Sequence, residues 1–188
     1  MASLTKKAIK QSFVKLLNER PFDKITVKDI VEDCGVNRNT FYYYYQDIYQ
    51  LLRDIFDSET MALSENHVEY DSWEEGIIDA AHFAMKNKKL IYHVYNSISR
   101  EELERYLNAA CEYIMVQHIR RKAEGMYVSE DDVELISLFY KHAVVGIMVD
   151  WLQHGMKKEP EDIINRLGAL MDGNIELILK KAEELQKN

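Results

Sequence analysis

At 188 residues, with 47% apolar and 30% charged side chains, the chain is long enough for one large domain or two small ones and too apolar for global disorder. Its net charge of −8 argues against a protein that coats nucleic acid with a broad basic surface. Lys6, Lys7 and Lys10 fall where a signal peptide needs its apolar core, and no uncharged apolar run approaches the ~18 residues that span a membrane, so a cytoplasmic protein is expected. Strand-like alternation is scarce, and only Pro21, Pro160 and seven glycines interrupt the helical texture, which predicts an all-α fold. Cys34 and Cys111 match no metal spacing and no disulfide framework, and read as buried reduced thiols.

A first helix is predicted over Thr5–Glu19, with Thr5 as its cap and Ala8, Ile9, Phe13, Leu16 and Leu17 on one face. Arg20-Pro21 ends it, because proline disfavours α geometry in the residue before it. Thr26 caps a second helix, with Asp29 three residues on as in a capping box, and Val27, Ile30 and Val31 as its buried side. Cys34-Gly35-Val36 makes a tight turn. Asn37 caps a third helix running from Arg38 to about Tyr44, and Asp47 caps a fourth that carries Ile48, Leu51, Leu52, Ile55 and Phe56. Two short helices joined by a tight turn, the second rich in exposed hydrogen-bonding side chains, form a helix-turn-helix that presents a reading helix to DNA. The charge distribution agrees: residues 1–48 have a balance of +2 and the remainder −10.

Beyond about residue 60, amphipathic helices are predicted near 73–86, 89–97, 101–123, 130–155 and 160–186, with breaks near Asp71-Ser72, Asn87-Lys88, Ser97–Ser99, Gly125 and Gly155 to Pro160. Val133, Ile136, Tyr140, Ala143, Ile147 and Trp151 step by three or four, and so do Ile164, Leu167, Met171, Ile175, Ile178, Ala182 and Leu185. These stripes either close an internal core or also pair with their copies across a two-fold axis. A short reading helix alone binds DNA weakly, so a homodimer is expected, with Tyr140, Ala143, Ile147, Trp151, Leu167, Met171, Ile175 and Ile178 at its interface. Gly146 and Gly168 would let helix axes approach closely.

These residues resemble the TetR family of bacterial one-component regulators. The family pattern is a first helix, a Thr-capped second helix, Gly-Val-Ser, and a reading helix ending in Tyr-x-His-Phe. Here it reads Ile25-Thr26-Val27, then Gly35-Val36-Asn37-Arg38-Asn39-Thr40-Phe41-Tyr42-Tyr43-Tyr44-Tyr45, then Leu51-Leu52, so the resemblance covers roughly residues 5–57. Phe139-Tyr140, Gly146, Trp151, Gly155, Pro160 and Glu161 are similar, more weakly, to a subgroup that includes regulators of dihydroxyacetone kinase operons. Tyr44 stands where the family often has His, Tyr45 where it usually has Phe, and Ile48 where a Lys usually contacts phosphate. Either DNA binding is weaker here, or the backbone N–H groups behind Asp47 hold that phosphate alone.

The resemblance implies a helix-turn-helix DNA-binding domain over residues 1–50 and a helical effector-binding and dimerisation domain over 51–188. Thr26 and Lys28 are expected to face one phosphate strand. Asn37, Arg38, Asn39 and Thr40 enter the major groove, where Arg38 suits guanine O6/N7 and Asn39 suits adenine N6/N7. Tyr42 and Tyr44 are assigned to phosphates and Tyr43 to a base edge or a thymine methyl, while Phe41 faces the core. Phe83, Tyr92, Tyr95, Met115, His118, Phe139 and His142 are candidates to line an effector pocket. A palindromic double-stranded operator, a second copy and a small-molecule or protein effector are the expected partners, with repression relieved by effector as the default output. A partner-dependent activator and a helical adaptor without DNA are the alternatives. An enzyme is disfavoured: Asp79 and His82 form a single i,i+3 pair, the other histidines (His67, His93, His118, His142, His154) scatter without metal spacing, and no P-loop, dinucleotide fingerprint or nucleophile elbow appears. No cofactor or metal is expected.

Overall fold

The computed structural model describes residues 2–65, 70–97 and 100–187. His67 and Ser99 therefore lie outside the described residues. Among those described, the chain forms α1 (Ala2–Glu19), a single 3-10 turn (Phe22–Lys24), α2 (Val27–Cys34), α3 (Arg38–Tyr44), α4 (Ile48–Glu65), α5 (Trp73–Lys86), α6 (Lys88–Tyr95), α7 (Arg100–Ala123), α8 (Glu130–Gln153), α9 (Pro160–Met171) and α10 (Asn174–Gln186), and no strand. The all-α class is that of the structure, and the predicted helices recur in order through α8, although α1 starts at Ala2, so that Thr5 lies inside it rather than at its cap.

Packing divides the chain into two compact units. One holds the residues up to Ala62 together with Lys86–Tyr106, and the other holds Leu63–Met85 and the chain from Leu107 on. The functional division expected at 50/51 falls inside the continuous α4.

The first unit is built on α1, whose Ile9, Phe13, Leu16 and Leu17 recur at helical spacing and are buried. The Ser12 hydroxyl donates to the Ile30 carbonyl at 3.2 Å and ties α2 to α1. Phe22 in the 3-10 turn meets the rings of Phe13 and Tyr49 at 6.1 and 5.1 Å. Helix α6 also belongs to this unit: it buries Leu90, Ile91 and Val94, and His93 Nδ1 lies 2.6 Å from the Leu17 carbonyl oxygen. The start of α7 joins α4 through Arg53–Glu102 and Arg105–Asp57 ion pairs, each 2.8 Å, and through stacked Phe56 and Tyr106 rings.

The second unit packs α5, the later part of α7, α8, α9 and α10 around Ile77, Ala81, Met115, Ile119, Val144, Met148, Trp151, Ile164 and Leu179. The helix expected to run unbroken over 160–186 stops at Met171 and restarts at Asn174. Gly173 breaks it by adopting a left-handed conformation (φ 74°), open to glycine at no steric cost. Gly168 makes the close approach anticipated for it, since an added Cβ would overlap the Glu74 carboxylate of α5. Gly146 does not make one within the protomer, because it faces open space.

Helix α8 is long and apolar enough, by length and composition alone, to cross a membrane, and half of that stretch is buried among its neighbours. A helix that is apolar on both sides needs cover on both. One side of α8 has it within the protomer; Leu135, Leu138 and Phe139 on the other side do not.

Candidate nucleic-acid interface

The helix-turn-helix is built by local rules. The Thr26 hydroxyl accepts from the Asp29 N–H at 3.3 Å while the Asp29 carboxylate accepts from the Thr26 N–H at 2.8 Å, a reciprocal capping box. Gly35 closes α2 in the left-handed region (φ 69°), and its N–H and that of Val36 both return to the Val31 carbonyl. Asn37 then caps α3, its side-chain oxygen accepting from the Thr40 N–H at 2.8 Å. Asp47 caps α4 in the same way, accepting from the Gln50 N–H at 2.7 Å.

Helix α3 spans seven residues, about two turns, too short to hold itself together in water. It is held from behind. Phe41 is fully buried in its middle, and Tyr45, its last cap, is buried at its end. The Tyr45 backbone N–H returns to Phe41 and its hydroxyl donates to Asp54 Oδ2 of α4 at 2.8 Å. Lys6 and Lys10 of α1 reach the same carboxylate at 3.1 and 2.9 Å, and the Lys6 ammonium sits 5.7 Å from the centre of the Tyr45 ring. Burial alone would raise the Asp54 carboxyl, but hydrogen bonds from Lys10, Tyr45 and Lys6 outweigh it and hold the group below its ordinary value. Burial, then the Asp54 carboxylate, push the Tyr45 hydroxyl well above its ordinary range, so it remains a proton donor.

The outward side of α3 carries the expected readers. The Arg38 and Asn39 side chains are exposed and make no hydrogen bond or ion pair with any described residue. Tyr42 is 55% exposed, Tyr43 80% exposed and Tyr44 half-buried, while Phe41 turns inward as anticipated. The Thr40 hydroxyl is drawn toward the Asn37 side chain at 3.0 Å, so Asn37 and Thr40 serve the cap first. Thr26 is likewise committed. Its hydroxyl donates to Asp29 Oδ2 at 2.7 Å and accepts from the Asp29 N–H, leaving no proton for a phosphate. The Asp29 carboxyl is held below its ordinary value by the Thr26 hydroxyl and then the Thr26 N–H. Lys28 lies on the exposed side of α2, 3.7 Å from Glu32, a weak pairing between two solvated groups.

Two family models match the chain: one described as bacterial regulatory proteins of the TetR family over residues 14–55, and one described as a transcriptional regulator C-terminal region over residues 71–173. The protein belongs to the TetR family. Over 75 residues it is 29% identical to the dhaKLM operon transcriptional activator DhaS of Lactococcus lactis, an alignment that covers 40% of each chain. A 49-residue stretch, 26% of this chain and 13% of the relative, is 33% identical to the HTH-type regulator YxbF of Bacillus subtilis. The chain thus aligns with less than half the length of either relative. In fold it is similar to the dihydroxyacetone kinase operon activator DhaS (TM-score 0.72, 20% identity, covering 92% of this chain and 97% of that one). It is also similar to a TetR regulator from Streptococcus agalactiae (TM-score 0.60, 23% identity, 88% and 92%). The third likeness is to NalD, a secondary repressor of the MexAB-OprM efflux pump in Pseudomonas aeruginosa (TM-score 0.55, 16% identity, 91% and 96%). The chain is therefore a DNA-binding transcriptional regulator, and the α2–α3 pair is its helix-turn-helix.

The regulator's body treats the remaining expected residues differently. Of the effector-pocket candidates, Tyr92 and Tyr95 lie on α6 in the first unit, where the Arg100 guanidinium covers the Tyr95 ring. Met115 and His118 are buried on one face of α7 in the second unit. Phe83, Phe139 and His142 point outward. The candidates are thus divided between the two units. A surface cleft of about 600 Å³ does lie between α7 and α8, lined by Glu112, Val116, Arg120, Asp131, Leu138 and Lys141 among others, and none of the candidates borders it. Among the described residues no group of three or more His, Cys, Asp or Glu side chains is placed to hold a metal ion.

Of the expected dimer-face residues, Tyr140, Trp151 and Ile175 pack inward, and the Trp151 indole N–H donates to the Lys158 carbonyl at 2.8 Å. Ile147, Leu167 and Met171 are half-buried, and Ala143 and Ile178 are exposed. The outward apolar residues include two of the expected ones, Ala143 on α8 and Ile178 on α10, together with Leu135, Leu138 and Phe139 on α8 and Leu177 and Leu185 on α10. Exposed large apolar side chains at helical spacing were the available signal, but α8 carries apolar residues on both faces and its periodicity does not say which is outer.

Proposed function

We propose that this regulator is a cytoplasmic homodimer that binds a palindromic operator through the heads formed by residues 1–50, and that an effector in the 51–188 body changes its operator affinity. One observation carries the reading. Arg38, Asn39, Tyr42 and Tyr43 stand exposed on one side of a two-turn helix whose other side is anchored by Phe41 and Tyr45. Groups able to read base edges and hold phosphates are thus offered on a helix fixed from behind.

The dimer reading is supported by the uncovered stripe of α8 and α10, where Phe139 and Leu185 are 63% and 67% exposed. Contiguous apolar side chains of that size call for a partner, and the same patch on a second copy is self-complementary about a two-fold axis. The effector reading is supported by two buried polar atoms in the body, His118 Nδ1 and the Tyr140 hydroxyl, which have no hydrogen-bond partner among the described residues. Glu176 of α10 lies within electrostatic reach of both. Repression relieved by effector is the primary output. Activation is the second reading, favoured by the likeness to DhaS, which is named an activator.

Selection of bound duplexes from a random pool tests the reading. A palindrome with half-sites about one helical turn apart is expected. Recovery of no preferred sequence would remove it. Transcription from a promoter carrying the recovered site separates repression from activation.

A further inference from the structure

We propose that Asp54 is a positioning residue for DNA recognition, acting on the reading helix through the hydroxyl of Tyr45. The proposal rests on α3 being the element that reads DNA. Base-edge hydrogen bonds tolerate little displacement, and a two-turn helix supplies no rigidity of its own. Helix α3 is fixed at its start by the Asn37 cap and in its middle by Phe41. Its far end is fixed by Tyr45, whose ring is buried and whose hydroxyl is 2.8 Å from Asp54.

A phenylalanine, which the family usually carries here, would fill the same space without a bond to α4. The hydroxyl adds a directional bond. Asp54 is itself held, because Lys6 and Lys10 converge on it from α1 and Lys10 also donates to the Asp54 carbonyl at 3.1 Å. One carboxylate therefore joins α1, α4 and the exit of α3.

The test measures the ratio of affinities for the pool-selected duplex and a scrambled duplex, using the full-length protein at a temperature well below its melting point. Tyr45→Phe is expected to keep helix content and oligomeric state while losing about 3- to 10-fold in affinity for the selected duplex, the worth of one hydrogen bond. The scrambled duplex should be bound as before, so discrimination falls. Asp54→Ala is expected to lose at least as much affinity for the selected duplex, with the scrambled duplex again bound as before. The Tyr45→Phe/Asp54→Ala double variant should discriminate no worse than Asp54→Ala, since the two groups share one bond.

A Tyr45→Phe protein whose affinity ratio stays within about twofold of the parent's would overturn the proposal, whatever happens to Asp54→Ala, and so would losses that multiply in the double variant. Those outcomes leave the reading of DNA by α3 intact. Failure of the parent protein to select any duplex would overturn both.

Discussion

Helices α3 and α8 each leave one face uncovered, and the chemistry of the two faces is opposite. On α3 the exposed residues are Arg38, Asn39, Tyr42 and Tyr43, all with hydrogen-bonding ends. On α8 they include Leu135, Leu138 and Phe139, which have none. The first face is satisfied by water until a polar partner offers better geometry, so its occupant can come and go. The second carries a standing hydrophobic penalty in water of about 25 cal/mol per Å² exposed, so its occupant should be permanent. One helix is suited to a reversible partner such as DNA, the other to a second copy of the chain.

Substitutions can break that contrast. Arg38→Ala should have the largest effect on the polar face, costing about 1–3 kcal/mol in binding the selected duplex and relaxing the preference at one base pair, with the dimer intact by sedimentation. Retention of full specificity would mean that the reading side has been misplaced. On the apolar face, Phe139→Glu should split the dimer at micromolar concentration without unfolding the protomer, since the side chain is not part of the internal core. The matching change at Tyr140 would strike the core instead. A dimer that survives Phe139→Glu would place the two-fold contact elsewhere.

Smaller effects sharpen the picture of the body. His118 titrates below its ordinary value of 6.5, chiefly because of burial and then because Lys122 and Arg121 lie nearby, with Glu74 and Glu176 opposing. The unfolded chain then binds the proton more readily than the folded one. The neutral His118 contribution is complete above pH 6.5 and is lost as pH falls through the lower folded value. Melting measured from pH 7.5 to 5 should show this decline, and His118→Phe should flatten it. Tyr140→Phe removes a buried hydroxyl that has no partner among the described residues, and should raise stability by about 1 kcal/mol in denaturant titration if no effector is bound.

Much of the head was legible in the sequence because its signals are local. Thr26 with Asp29, Gly35 and Asn37 each act within four residues, so the bounds of α3 could be read directly. Three features were not legible, each for a physical reason. The apolar steps from Ile164 to Leu185 keep helical spacing across the Asp172-Gly173 break, which hides it. Apolar residues on both sides of α8 hid which face is the inner one, where Tyr140 and Trp151 are buried. The Tyr45–Asp54 bond joins two helices across nine residues with no local spacing to announce it; its one trace is a tyrosine where the family pattern usually has phenylalanine.

The salt dependence of affinity for the selected duplex, measured beside a scrambled one, tests the central claim most directly. The account predicts that log affinity falls steeply with log salt for both, by about 0.9 per phosphate engaged, and that the selected duplex stays tighter throughout. A flat line, or two coincident lines, would contradict the assignment of α3 as the element that reads DNA.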